Sequence, residues 1–142
     1  MTLNPADPAF EAALRADLSP DVFREVEPRY LEEPRGLYAG KSAVLALPRT
    51  VEEVATLIRH ANAARVGVIP YGGGTGLVGG QVAESGPAPL ILSLERMNKL
   101  RAVYPDENVL VAEAGMILSD VQAAAETADL LFPLTLPARV LP

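Results

Sequence analysis

Val66-Gly67-Val68-Ile69-Pro70-Tyr71-Gly72-Gly73-Gly74-Thr75-Gly76-Leu77-Val78-Gly79-Gly80 begins as a β-branched run and ends as a loop holding six of the chain's 11 glycines. A glycine ordered on folding costs roughly 0.5–1 kcal/mol against alanine, because its unfolded backbone has more freedom to lose. Six together cost about 3–6 kcal/mol, against the about 5–15 kcal/mol by which a whole domain is stable. A backbone kept bare at that cost fits the close approach of a phosphate-bearing ligand to converging amide N–H groups. No Lys or Arg lies between Arg65 and Arg96. A diphosphate at this loop would therefore be held by the amides and the Thr75 hydroxyl.

On the N-terminal side, Thr50 to Ala64 reads as a helix. Thr50 and Glu53 form a capping box, and Val51, Val54, Ala55, Leu57, Ile58 and Ala61 recur at helical spacing. Ala43 to Leu47 reads as a buried strand ended by Pro48. With a strand at Val66 to Ile69 this is a strand–helix–strand unit, whose strands run parallel and whose ligands sit at the strands' carboxyl ends. The glycine loop occupies such an end.

Further out, Pro8 to Val26 reads as one or two short helices with a cap at Ser19-Pro20-Asp21, a packing element rather than a site. Glu27 to Lys41 reads as irregular. Beyond the loop, Ser85 to Pro89 is a turn within the domain, and Leu90–Leu94 and Val109–Glu113 read as strands. Arg101–Tyr104 is a shorter strand, joined to the last through the turn residues of Tyr104–Asn108 as a hairpin. Ser119 with Gln122 predicts a second capping box opening an alanine-rich helix to about Leu130. The fold class is α+β, without internal repeats.

Composition narrows the function. The 142 residues make one domain, and the net charge of −6 argues against a nucleic-acid surface. Cysteine is absent and histidine occurs once, so disulfides, thiolate sites and a zinc centre are not expected. No stretch reaches the roughly 20 apolar residues that span a bilayer. Met1-Thr2-Leu3-Asn4-Pro5 lacks the basic start of a signal peptide, so the expected compartment is the cytoplasm.

Two nucleotide motifs compete for the loop region. Gly74-Thr75-Gly76-Leu77-Val78-Gly79 matches G-x-G-x-x-G, with Glu95 placed to hold a ribose. A Rossmann loop must open into a helix, however, and Gly79 to Pro87 cannot propagate one. Gly36-Leu37-Tyr38-Ala39-Gly40-Lys41-Ser42 ends like a Walker A loop but has three residues between its glycines instead of four, which leaves Lys41 a solvated lysine. A ligand-free glycine hairpin is the third alternative. His60 falls on the wet face of its helix. The Glu52/Glu53 and Glu25/Glu27 pairs read as solvated faces or caps, and Tyr30 and Tyr38 as packing residues.

Pro70-Tyr71-Gly72-Gly73-Gly74-Thr75-Gly76-Leu77-Val78-Gly79-Gly80 resembles the pyrophosphate loop of FAD-linked oxidases with a vanillyl-alcohol-oxidase, or PCMH-type, flavin domain. Pro48-Arg49-Thr50-Val51-Glu52-Glu53-Val54 resembles that family's Pro-x-Thr-x-Glu-Glu-Val helix opening. Leu94-Glu95-Arg96-Met97-Asn98-Lys99 is similar to its strand end, Val111-Ala112-Glu113-Ala114-Gly115 to its later strand and turn, and Phe132-Pro133 to the step after the next helix. These ordered blocks cover about residues 30 to 137. Tyr30-Leu31 and Arg35-Gly36-Leu37-Tyr38-Ala39-Gly40 are most similar to the D-2-hydroxyacid dehydrogenase branch, which includes glycolate oxidase and the D-lactate and D-2-hydroxyglutarate dehydrogenases.

The resemblance implies non-covalent FAD and hydride transfer from C2 of a small D-2-hydroxy acid to flavin N5. It also implies reoxidation by a quinone, cytochrome or electron-transfer flavoprotein, in a cytoplasmic protein or one peripheral to the membrane. Nicotinamide dehydrogenases of the Rossmann type and a non-catalytic nucleotide-binding module remain the alternatives. Carried over by position, Pro70, Tyr71, Gly72, Gly73, Gly74, Thr75, Gly76 and Leu77 line the pyrophosphate, and Gly80 and Gln81 continue along the cofactor. Gly115 approaches the flavin or serves as a turn glycine. Tyr71 stands where many relatives carry Arg, and Thr75 where covalent relatives carry a flavin-linking His.

After Phe132-Pro133-Leu134-Thr135-Leu136 the family continues into a glycine-rich segment, whereas this chain reads Pro137-Ala138-Arg139-Val140-Leu141-Pro142. The expectation is a truncated flavin domain: an N-terminal segment at 1–40, a partial PCMH-type FAD domain at 41–137 and a divergent tail at 138–142. No catalytic residue is assigned, since the base and substrate-binding cations of relatives lie beyond this point. An uncovered apolar face around Leu130, Leu131, Leu134 and Leu136 is expected to promote self-association.

Overall fold

The computed structural model describes residues 2–134. In chain order these form α1 (Pro8–Asp17), β1 (Phe23–Arg24), β2 (Val44–Ala46), α2 (Val51–Ala64), β3 (Val68–Tyr71), β4 (Leu90–Ser93), β5 (Leu100–Tyr104), β6 (Val109–Ala112) and α3 (Leu118–Thr127). Single 3-10 turns lie at Pro20–Val22, Pro28–Tyr30 and Pro105–Glu107. Helices and sheet are mixed, as the α+β reading expects. No helix among the described residues is long and apolar enough to cross a membrane.

Capping chemistry sets the first two helices. The Asp7 carboxylate accepts from Phe10 N at 2.8 Å and starts α1. On α2 the predicted box is complete: Glu53 N donates to Thr50 Oγ1 at 3.2 Å, and the Glu53 carboxylate accepts from Thr50 N at 3.3 Å. α2 ends at Arg65 in the left-handed region (φ 55°), where Val66 N donates to Ala61 O, and Asn4 Nδ2 donates to Ala64 O at 2.8 Å.

Four strands form a sheet in the order β1-β2-β4-β3, with β1 antiparallel and the other three parallel. The strand–helix–strand unit is present, but β4 lies between its two strands. Physical reasons favour that order. Every residue of β4 is buried, as a strand covered on both faces requires, whereas β3 contains Pro70, which cannot donate to a ladder and belongs on an edge. Side chains alternate by face. Val44, Ala46, Leu90 and Leu92 meet Phe10, Leu14, Leu57 and Ala61 of the two helices, and Leu45, Leu47 and Ile91 meet Tyr30 and Tyr71 on the other side.

The structure corrects several local expectations. β3 runs two residues later than the β-branched run suggests, so Pro70 and Tyr71 are strand residues. α1 stops at Asp17, Ser19 makes no side-chain cap, and Phe23–Arg24 form a short strand that propensity did not mark. α3 starts at Leu118 with Ile117 at its cap position, so Ser119 lies inside the first turn and forms no capping box; Gln122 donates instead to Leu134 O at 2.9 Å. That helix ends at Thr127, before Asp129 turns left-handed (φ 57°). His60 is not on a free face. α1 crosses that side of α2, and His60 Nε2 lies 2.8 Å from Asp17 Oδ2.

β5 and β6 form the expected hairpin, closed by the 3-10 turn and by left-handed Asn108. Of the anticipated apolar face, Leu131 is 84% and Leu134 45% exposed. Leu136 and the 138–142 tail lie outside the described residues.

Candidate anion-binding site at the carboxyl edge of the sheet

The glycine loop leaves the sheet at the carboxyl end of β3. Tyr71, the last strand residue, is buried beneath it. Its hydroxyl donates to Arg29 O at 2.7 Å, and its ring lies 4.8 Å from that of Tyr30. Gly74 rests directly on this tyrosine: an added Cβ would stand 2.1 Å from the Tyr71 hydroxyl. Gly74 is also left-handed, with φ +68°, a conformation that disfavours other side chains. Both facts exclude alanine.

The loop's hydrogen bonds are one-sided. Among the described residues, no backbone N–H of residues 72–81 donates to a protein acceptor. The carbonyls are engaged. Gln81 Nε2 donates to Gly76 O at 2.7 Å and to Gly74 O at 3.4 Å, Arg35 Nη2 donates to Leu77 O, and Val82 N donates to Gly79 O at 3.1 Å. Four carbonyls, of Gly74, Gly76, Leu77 and Gly79, are thus held while the backbone N–H groups stay without a protein acceptor. Gly72, Gly73, Thr75, Gly76, Leu77 and Gly80 are exposed or half-buried, so this donor set fits the diphosphate of a dinucleotide. Ser93, paired in register with Tyr71, is fully buried with an unpartnered hydroxyl, a second unspent polar group at this edge.

A turn that sequence reasoning read as irregular supports the loop. Residues 32–39 close on themselves through a bridge between Glu32 and Ala39. The buried Glu33 carboxylate accepts from Arg35 N at 3.0 Å and Leu37 N at 2.9 Å. Burial works against that charge, but the two backbone N–H groups and the Arg35 guanidinium hold Glu33 below the usual carboxylate range. Gly40 N donates to Leu31 O and Lys41 N to Ala83 O, and the Tyr38 ring lies against Gly79. Lys41 is exposed. A lone glutamate between glutamate and proline carries no signal of such a role.

Tyr30 is more than a packing residue. Its hydroxyl donates to Glu95 Oε1 at 3.0 Å, and burial together with Glu95 pushes the phenol up to about 12. Arg29 lies 4.3 Å over the Tyr30 ring and 3.4 Å from Glu95. Glu95 is therefore occupied within the protein, and no helix follows the glycine loop before β4. Both requirements of the Rossmann alternative are missing.

Gly115 sits against the end of β4. Its N–H donates to Met97 O at 2.8 Å, and an added Cβ would fall 1.8 Å from Leu94 O. Backbone contact between two turns thus requires a glycine here.

A family model described as an FAD binding domain matches residues 42–140. The D-2-hydroxyglutarate dehydrogenase of Xanthomonas citri pv. viticola is 46% identical over 95 residues, covering 67% of this chain and 20% of the relative. A mitochondrial D-2-hydroxyglutarate dehydrogenase of Danio rerio is 33% identical over 154 residues, covering 96% of this chain and 28% of the relative. The chain thus spans about a fifth to about a quarter of the length of these relatives. Among solved structures, alkyldihydroxyacetonephosphate synthase matches with a TM-score of 0.74 at 22% identity, over 89% of this chain and 26% of that one. Berberine bridge enzyme matches with a TM-score of 0.66 at 15% identity, over 87% and 27%. These two likenesses concern the fold.

Proposed function

This chain belongs to the FAD binding domain family, and we propose that it is the cofactor-holding front part of an FAD-linked oxidoreductase that acts on a D-2-hydroxy acid. The row of unbonded amides over residues 72–81 carries this reading. Pro70, Tyr71, Gly72, Gly73, Gly74, Thr75, Gly76 and Leu77 are the proposed pyrophosphate cradle, Gly80 and Gln81 continue along the cofactor, and Gly115, in the turn beside β4, is the proposed close approach to the flavin. Thr75 offers a hydroxyl and no covalent link, so the cofactor is held non-covalently. Residues 1–40 form the N-terminal segment, 41–137 the partial FAD-binding domain and 138–142 the tail.

A bound flavin would supply the redox chemistry, as acceptor for a hydride from C2 of the hydroxy acid. This chain's residues bind and orient. Tyr71 sets the loop's turn from below, Gln81 and Arg35 hold its carbonyls, and the amides meet the diphosphate. The names of the relatives favour a D-2-hydroxyglutarate-like substrate. A quinone, cytochrome or electron-transfer flavoprotein is the proposed acceptor, and the cytoplasm or the membrane surface the proposed location.

Calorimetric titration of the purified chain with FAD and with NAD, together with flavin fluorescence, tests this. FAD is expected to bind and to be released free on denaturation, while NAD does not bind. Selective binding of NAD would overturn the assignment.

A further inference from the structure

The proposed diphosphate cradle has no cation of its own, since residues 66–95 contain no Lys or Arg. Tyr71 cannot supply one: its hydroxyl is engaged by Arg29 O and its ring lies under Gly74. Arg29 faces two carboxylates, Glu27 at 3.2 Å and Glu95 at 3.4 Å, and lies over the Tyr30 ring at 4.3 Å. Its charge is already met.

Arg35 is different. Its guanidinium reaches across 42 residues of sequence to Leu77 O, in the middle of the free amide row. It faces one carboxylate, Glu33, at 3.5 Å through Nε, and that carboxylate is shared with the backbone N–H groups of Arg35 and Leu37. Nη1 has no acceptor among the described residues, and the side chain is 48% exposed. A guanidinium holds its donors in a rigid fork. With Nε on Glu33 and Nη2 on Leu77 O, the Nη1 end of the fork is held beside the amide row and keeps its donors free of any acceptor among the described residues.

We infer that Arg35 is the counter-cation of the bound diphosphate, presented to the glycine loop by the Glu33 turn in place of a basic residue at position 71. Arg35 is a binding residue in this role, and the inference rests on the reading that the loop holds FAD. It also gives the buried Glu33 a purpose: the carboxylate fixes the turn and aims the arginine.

The test titrates the full chain with FAD, comparing wild type, Arg35→Gln and Arg35→Lys at several KCl concentrations, with thermal unfolding as a check on the fold. At low salt Arg35→Gln is expected to raise the Kd about tenfold, the value of one charge-assisted contact. The gap should close toward 1 M KCl, where the screening length falls to about 3 Å, and Arg35→Lys should recover most of the affinity. An unchanged Kd in Arg35→Gln would overturn the inference and leave the FAD reading standing. So would a loss that persists at high salt and is not rescued by lysine, the pattern of a purely structural contact. Absence of FAD binding by the wild type would overturn both.

Discussion

Around the four-stranded sheet, Leu14, Leu57 and Leu90 are fully buried, at 0% exposure; in the β5–β6 hairpin, Leu100, Val109 and Val111 keep 41% and Tyr104 50% of their surface. The sheet has α1 and α2 on one face and the Tyr30–Tyr71 cluster on the other. The hairpin has α3 beside it and contributes nothing to either buried cluster. A two-stranded ribbon is marginal without further cover. The stability of the glycine loop's scaffold therefore resides in the sheet. The hairpin is attached to that scaffold through backbone: Gly115, just after β6, rests on the Leu94 carbonyl and donates its N–H to Met97 O at 2.8 Å.

The sharpest way to break this contrast is to open a cavity in the sheet. Leu90→Ala should cost about 2–5 kcal/mol in denaturant unfolding, the range for a large-to-small change at a fully buried site. A cost below about 1 kcal/mol would mean that the sheet is not the stabilising region.

An intermediate effect is expected in acid, and it sharpens the comparison because both regions hold lowered carboxylates, Asp21 and Glu33 on the side of the sheet and Glu113 in the hairpin. Glu33 lies in the turn beside the loop. In the hairpin, the Lys99 backbone N–H and the Arg101 guanidinium hold Glu113 below its ordinary 4.5. A carboxyl whose folded value lies below its unfolded one stabilises the fold above the unfolded value. That contribution disappears as pH falls from about 4.5 through the lower folded value. Thermal unfolding followed from neutral pH downward should show stability falling in that window, with a smaller fall in Glu113→Gln. Equal falls in variant and wild type would remove Glu113 from the account.

The smallest effect belongs to the hairpin's outer face. Val111→Ser should change unfolding free energy by no more than about 0.5 kcal/mol, while reducing self-association in analytical ultracentrifugation. A large loss of stability would show that this face is covered in solution.

Much of the candidate site was legible because it is written in neighbouring residues. The Thr50–Glu53 capping box spans three positions, and the bare run Gly72–Gly80 announces its purpose through what it lacks. The parallel unit and the hairpin followed from periodicity and turn chemistry. The failures have a common cause. Ser119 and Gln122 had the spacing of a cap without its geometry, because the chain had already turned into α3 at Leu118. His60 was placed by counting apolar residues on its own helix, although α1, 43 residues away, covers that side.

Local pattern thus determined most of the helices and strands, and that one loop is kept nearly bare of side chains. Tertiary structure decided that β4 enters between β2 and β3, that Tyr71 supports Gly74, and that Arg35 and Glu33 belong to the loop. Capping and periodicity act between residues a few positions apart, which a sequence displays directly. Burial, backbone approach and the pairing of charges depend on distances through space, which exist only once the chain has closed on itself.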